Sequence, residues 1–454
     1  MAIQSVNPTN NQIEAEFEPH SSAYVESALE RTEQAFKSWS AESFAYRGKL
    51  FIQLASQLRS QKEDLARLMT LEMGKTINEG IAEIEKCAWV CEYYAENAER
   101  FLRDEPLTTD SGKAFISYEP IGCVLAVMPW NFPFWQVFRY AAPTLMAGNT
   151  GILKHASNVP QCALAIEQLF IEAGFPVGVF QNLLIESSGV EALIDDRRIV
   201  AVTLTGSEPA GAKVAEAAGR NIKSSLLELG GSDPFIVLAD ADIDKTCRIA
   251  AKARMINCGQ SCIAAKRFIV VERVYEEFLY KFTAFMKTYI PADPLQKSTN
   301  CGPMASLSLA EELQRQVSES VKAGAHIELG GKMAGNQGAF FEPTILTGVK
   351  EGMPAFEEEM FGPVASVIKA KDTDHAVAIA NNSRFGLGGS VWTADPKMGL
   401  EVARKVQTGA MFVNQMVASD PRLPFGGIKK SGYGRELSHL GIREFVNQKT
   451  IVLP

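Results

Sequence analysis

The segment Asn257-Cys258-Gly259-Gln260-Ser261-Cys262 ends on a cysteine and runs into Ile263-Ala264-Ala265-Lys266-Arg267, a stretch that reads as helical. A thiol at the entry to a helix faces unpaired backbone N–H groups and the positive end of the dipole, which favours thiolate. That makes Cys262 the candidate nucleophile. Any single cysteine met blind is more often a small buried core residue, and this reading suits the other seven of the eight. Cys87 and Cys91, spaced i,i+4 in a helical pattern, belong with them. A thiol nucleophile needs a base, and none of the five histidines lies in a stretch resembling a Cys–His motif. Leu226-Leu227-Glu228-Leu229-Gly230-Gly231 offers Glu228 instead. An apolar strand around it would raise its pKa, and the two glycines would leave it free to swing. The competing reading is a strand-end Glu pointing to water.

Two loops offer binding groups. Pro129-Trp130-Asn131-Phe132-Pro133 follows directly on the apolar run Ile121–Met128. Two prolines fix that backbone, and an Asn amide held at the C-terminal end of a strand can donate to a developing oxyanion. Thr205-Gly206-Ser207-Glu208-Pro209 again runs from strand to helix. Ser207 suits an N-cap and Pro209 the first turn, so this start can receive a phosphate or serve simply as a good cap.

The elements that must position these groups are of two kinds. Val25, Ala28, Leu29, Thr32, Phe36 and Trp39 recur at helical spacing, and a second such pattern runs from about Asp64 to Leu102. From residue 121 short Val/Ile/Leu runs alternate with amphipathic stretches: Ile121–Met128, Gly151–Lys154, Val179–Ile185, Ile199–Thr205 and Ser225–Leu229. A second series holds Phe235–Leu238, Phe268–Val271, Val364–Lys369 and Gly409–Val413. Doubly buried strands alternating with helices predict an α/β fold with parallel sheets, here in two lobes with a cleft between them. The stretch Pro424–Gly434 is a Gly-rich loop, and the final Lys449–Pro454 has strand character without a sequence-local partner, which points to pairing with another subunit.

The 454 residues suggest about three domains. With 45 Lys and Arg against 53 Asp and Glu the net charge is −8, which argues against nucleic-acid or membrane-surface partners. The apolar run at 121–128 is far too short to span a bilayer, and the N-terminus has no charged leader with an apolar core. Scattered cysteines without metal-type CxxC pairs predict a reduced, cytoplasmic protein with no metal site.

Asn131 in WNFP, Glu228 in ELGG, Cys262 in GQSC, Glu359-Met360-Phe361-Gly362-Pro363 and Pro424-Phe425-Gly426-Gly427 follow the order and spacing of the aldehyde dehydrogenase superfamily. The chain is identified as a member of it, with similarity from Asn7-Pro8 to the terminal strand. The resemblance implies an aldehyde dehydrogenase fold: a Rossmann-like cofactor domain (1–101 and 121–230), an α/β catalytic domain (231–430) and a small β oligomerisation domain (102–120 and 431–454). It implies a homodimer or homotetramer. Cys262 would attack the aldehyde, and Asn131 with the Cys262 N–H would form the oxyanion hole. Hydride would pass to the nicotinamide, and Glu228 would activate the water that hydrolyses the resulting thioester. Trp130, Lys154, Gly206, Ser207, Glu359 and Phe361 would bind the dinucleotide.

Two departures sharpen the expectation. The common Lys-Pro-Ser-Glu of the family is here Lys154-His155-Ala156-Ser157. Ser157 removes a carboxylate that would repel a 2′-phosphate while Lys154 offers a cation, so NADP is expected as the preferred cofactor, with NAD second. Arg139, eight residues past Asn131, and Ser419, five past Asn414, match succinate-semialdehyde dehydrogenases and would hold the far carboxylate of a semialdehyde. Pairing of Arg139 with a protein carboxylate is the competing reading, and a broad-specificity aliphatic aldehyde dehydrogenase is the function that would go with it. One well-known branch has a second Arg six residues before the nucleophile, where this chain has Ile256. Cys258 stands four residues before Cys262, and whether those two thiols can pair depends on backbone geometry.

Overall fold

The computed structural model describes residues 2–110, 112–335 and 337–454. The helical spacing of the first hundred residues becomes the helices Ser22–Trp39, Phe44–Ser60, Lys62–Met73 and Ile77–Phe101. The single pattern expected from Asp64 to Leu102 is thus broken once. Gly74 closes Lys62–Met73 at φ 78°, and a Cβ there would lie 2.6 Å from Pro303 Cγ, so only glycine takes both the left-handed turn and the contact. The apolar spacing resumes in phase on the far side, which is why the sequence hides the break.

Strands Ser224–Glu228, Ile199–Thr205, Cys123–Met128, Thr150–His155 and Phe180–Asn182 lie side by side and parallel, with Gly432–Tyr433 added antiparallel beside the first. Their Val/Ile/Leu runs are buried on both faces, as a sheet covered by helices requires. The run expected over 179–185 shortens to Phe180–Asn182, the edge strand. The second sheet runs in the order His326–Leu329, Thr344–Thr347, Val364–Ala370, Arg267–Val271, Pro234–Val237, Ser390–Trp392, Phe412–Val413, parallel except for its first pair. Both α/β lobes expected from the sequence are therefore present.

Val446–Leu453, Gly112–Pro120 and Glu105–Thr109 form a third, antiparallel sheet. Here the terminal strand finds a partner far from it in sequence. It pairs within its own chain along its whole length, from Val446 opposite Pro120 to Leu453 opposite Lys113, and forms one edge of the sheet. Among the described residues no helix is long and apolar enough to cross a membrane.

Candidate active site

The C-terminal ends of the first sheet's strands carry the loops that matter, as parallel α/β sheets generally do. Met128 leads into the Asn131 loop, Thr205 into Ser207, and Glu228 ends its own strand. The loop bearing Cys262 comes from the second lobe and closes over them. Asn257 and Cys258 both take left-handed backbone (φ 51° and 53°), a conformation a non-glycine residue keeps only when its surroundings hold it. They do so here. The Asn257 amide donates to Asn131 O (2.7 Å) and Gln260 O (3.1 Å), and Asn257 N–H donates to Glu79 (2.7 Å). Gln260 Oε1 accepts from Ala305 N–H at 2.8 Å.

The segment after Cys262 is not the expected helix. Residues 261–266 form turns that feed the strand Arg267–Val271. Lys266 folds back to donate to the carbonyls of Ser261 (2.7 Å) and Cys262 (2.6 Å), and Arg267 donates to Ser232, Ile379 and Ala380. Cys262 therefore has no helix dipole behind it. Enclosure pushes its thiol up to about 12, against the pull of Lys266 and Arg139 and with the help of Glu359 and Glu228. The resting Cys262 side chain is a thiol, and to act as a nucleophile it would have to lose that proton. Of the eight cysteines Cys262 is the one that is not buried; Cys258 instead meets Cys301, sulfur to sulfur at 3.7 Å.

Glu228 is 2% exposed, and neither carboxyl oxygen has a hydrogen-bond partner. Burial first and the nearby Glu436 carboxylate second hold it well above the usual carboxylate range, with Arg139 and Arg435 pulling the other way. A partnerless buried carboxyl beside a half-open thiol is poor for stability and apt for proton transfer. The glycines after it serve closeness: a Cβ on Gly230 would lie 2.3 Å from Glu359 Oε2. Asn131 is buried, with its amide N–H on Gln260 O at 3.2 Å, which leaves one amide hydrogen. Its loop is pinned by buried His155, whose ring bonds Pro133 O at 2.9 Å and whose pKa burial lowers to about 4.

Pro129, Trp130, Asn131, Thr205, Gly206, Ser207, Glu228, Gly230, Cys262, Glu359 and Phe361 line one cavity of about 280 Å³. Trp130 and Phe361 meet edge to face at 5.8 Å between centroids. Ser207 is the N-cap of Glu208–Arg220, as expected, yet its side chain makes no capping bond and stays available to a ligand. Glu359 accepts from Gly231 N–H and pairs with Lys266, both at 3.1 Å. A second cavity of about 500 Å³ is walled by Lys154, Ser187, Ser188, Lys213 and Arg220 among others. Lys154 is 4% exposed without a carboxylate partner among the described ion pairs, and its pKa is lowered by burial. A free cation, an unused hydroxyl and a helix start fit a phosphorylated dinucleotide. Ser157 lies exposed in the loop after Lys154 and is not part of that cavity wall. Among the described residues no group of three or more His, Cys, Asp or Glu could hold a metal ion.

On its other side Cys262 opens into a cavity of about 200 Å³ lined by Phe132, Trp135, Arg139, Ile256, Phe425 and Ser419, among others. Arg139, on the helix Trp135–Met146, is buried and ion-paired through Nε with Glu436, and lies 4.5 Å over the Phe425 ring. The competing reading of Arg139 as an ion-pair partner is therefore realised, although the residue still lines the cavity. Sequence reading missed Glu436 and also Lys86, whose Nζ donates to Ser419 Oγ at 2.6 Å. In the run Glu83-Ile84-Glu85-Lys86 a lysine looks like one more solvated helix charge, and only packing reveals otherwise.

Residues 1–451 match the Aldehyde dehydrogenase family. A "Probable succinate-semialdehyde dehydrogenase [NADP(+)]" of Synechocystis sp. is 51% identical over 451 residues, 99% of each chain. A "Succinate-semialdehyde dehydrogenase [NADP(+)]" of Mycobacterium avium is 48% identical over 457 residues, 99% of this chain and 96% of that one. The crystal structure of a succinic semialdehyde dehydrogenase from Streptococcus pyogenes, in complex with NADP+, superposes with a TM-score of 0.98 at 39% identity, each chain fully covered.

Proposed function

The chain belongs to the aldehyde dehydrogenase family, and from that membership we propose that it oxidises succinate semialdehyde to succinate with NADP as preferred hydride acceptor and NAD as the lesser one. The observation that carries the substrate is charge in the cavity beside Cys262, where Lys86, Arg139 and Ser419 stand among aromatic and aliphatic side chains and only one of the two cations, Arg139, has a carboxylate partner among the described residues. Burying a cation there is costly, and a substrate carboxylate gives the cost a use. The names of the Synechocystis and M. avium relatives support the same reading.

Asn131 and the Cys262 N–H, which no backbone bond engages, hold the aldehyde oxygen as negative charge develops on it. Cys262 Sγ adds to the carbonyl carbon to give a thiohemiacetal, and the thiol proton is lost to solvent. The bound dinucleotide supplies the acceptor for the hydride that leaves this carbon as the thioester forms. Glu228, ionised, then takes a proton from water, which attacks the thioester carbon; that proton returns to the departing sulfur, freeing the carboxylic acid and restoring the Cys262 thiol. Ser207 with Gly206 meets the pyrophosphate, Glu359 and Phe361 with Trp130 hold the nicotinamide end, and Lys154 with Ser157 the adenosine end.

Initial rates with succinate semialdehyde and butanal, each against NADP and NAD, test the reading. The semialdehyde with NADP should have the highest kcat/KM, and Ser157→Glu should lower kcat/KM for NADP by roughly 100-fold while sparing NAD. A wild-type preference for NAD would overturn the cofactor assignment. The Arg139–Glu436 pair favours a second reading, a broad-specificity aliphatic aldehyde dehydrogenase, which equal kcat/KM for butanal would establish.

The same reading divides the chain into cofactor (1–101, 121–230), catalytic (231–430) and oligomerisation (102–120, 431–454) parts of a cytoplasmic homodimer or homotetramer. The open edge of the strand Val446–Leu453 offers the backbone donors and acceptors for pairing between copies. A solution mass equal to one chain would overturn the assembly.

A further inference from the structure

We propose that Lys86, acting with Ser419, is the cation that receives the far carboxylate of the substrate, so that the carboxylate site is a lysine–serine pair standing beside the Arg139–Glu436 ion pair. The inference rests on the semialdehyde reading and names the group that makes that reading selective.

Arg139 arrives with its charge already answered by Glu436. Lys86 does not. It projects from the helix Ile77–Phe101 into the cavity that Cys262 also lines, with its ammonium 4.2 Å over the Trp135 ring. Every carboxylate near it is committed elsewhere. Glu83 is ion-paired with Lys75 and accepts from Phe134 and Trp135 N–H, both at 2.9 Å, at the start of the helix that bears Arg139. Glu79 accepts from Asn257 N–H at 2.7 Å and Thr76 Oγ1 at 2.8 Å. Asp420 takes both the Nε (2.9 Å) and Nη2 (2.6 Å) of Arg422.

The remaining bonding capacity faces the same place. The Lys86 ammonium has one hydrogen on Ser419 Oγ, leaving two. Ser419 accepts that bond, so its own hydroxyl hydrogen is free to donate. A carboxylate is the anion that takes a point cation and a hydroxyl together, and it would offset the cost of keeping an unpaired ammonium against an aromatic wall. Burial, then the Arg139 charge, lowers the Lys86 pKa to about 8, with Cys87, Glu83 and Asp420 acting weakly in the other direction.

The test uses the full-length enzyme with Lys86→Met, Lys86→Gln and Lys86→Arg, succinate semialdehyde and butanal as substrates, and pH as a second axis. Lys86→Met and Lys86→Gln should raise KM for the semialdehyde about 30-fold with a far smaller change in kcat, and lower the semialdehyde-to-butanal ratio of kcat/KM by the same factor. Lys86→Arg should recover most of it. In the wild type that ratio should fall above pH about 8 as Lys86 loses its proton, whereas Lys86→Arg should hold it flat. Cys262 and Glu228 titrate too, but both substrates share them and they cancel in the ratio. A ratio unmoved in both neutral variants, or equal losses for the two aldehydes, would overturn the assignment. A wild type that does not prefer the semialdehyde would instead overturn the substrate reading on which it rests.

Discussion

Glu228→Gln should give one rapid turnover and then stall. Mixing the variant with cofactor and aldehyde should release a burst of about one reduced dinucleotide per active site, followed by a steady rate lower by roughly 10²- to 10⁴-fold. The carboxyl is 2% exposed and without a hydrogen-bond partner on the wall of the cavity that holds Cys262, where the other carboxylate, Glu359, is engaged by Lys266 and Gly231 N–H. Its raised pKa makes the ionised form a stronger base than an ordinary carboxylate, and that form grows as pH rises. The wild-type steady rate should therefore climb with pH on the alkaline side of the usual carboxylate range, and the variant should lose this limb. A slow first turnover without a burst would show that Glu228 acts before hydride loss, as the base for a thiol held up to about 12. Melting temperature should stay level or rise, because Gln replaces a buried partnerless acid with a neutral amide of the same shape.

Cys262→Ala should abolish turnover by about 10⁴-fold or more while dinucleotide binding persists, since the thiol is not part of the cavity walled by Lys154. Alkylation gives a sharper test than rate. Seven of the eight thiols are buried, so iodoacetamide should add about one label per native chain, none to the variant, and inactivate the wild type in step. Because enclosure keeps the thiol protonated, labelling should accelerate with rising pH across the neutral range. Labelling of several cysteines before activity is lost would sink the assignment.

Much of the site is legible in the sequence because its parts sit at strand ends, where a Val/Ile/Leu run announces the element and the next residues announce the loop. Asn131, Ser207 and Glu228 fall in place for that reason. The segment 263–267 misleads because its helix-forming composition is overruled by distant partners: Lys266 and Arg267 are spent on carbonyls of six residues from several segments. Lys86 is illegible for the opposite reason. Its local setting among Glu83 and Glu85 is that of an exposed charge pair, while Glu85 in fact faces Arg59 and Lys62 and Glu83 faces Lys75. Glu436 enters the site through a chain reversal, with Phe425 and Glu436 bridged backbone to backbone, that no periodicity encodes.

That reversal has a consequence for how the molecule is made. Between Phe412 and Leu453 the chain places a strand in each of three different sheets in turn, pairing Gly432 with Glu228 on the way. These residues leave the ribosome after all the others that build the site. Until they fold, Cys262 lacks the strand that pairs with Glu228 and the carboxylate that answers Arg139. Both supports come from the stretch 412–453, so the cavity around Cys262 is complete only once that stretch has folded onto the earlier strands.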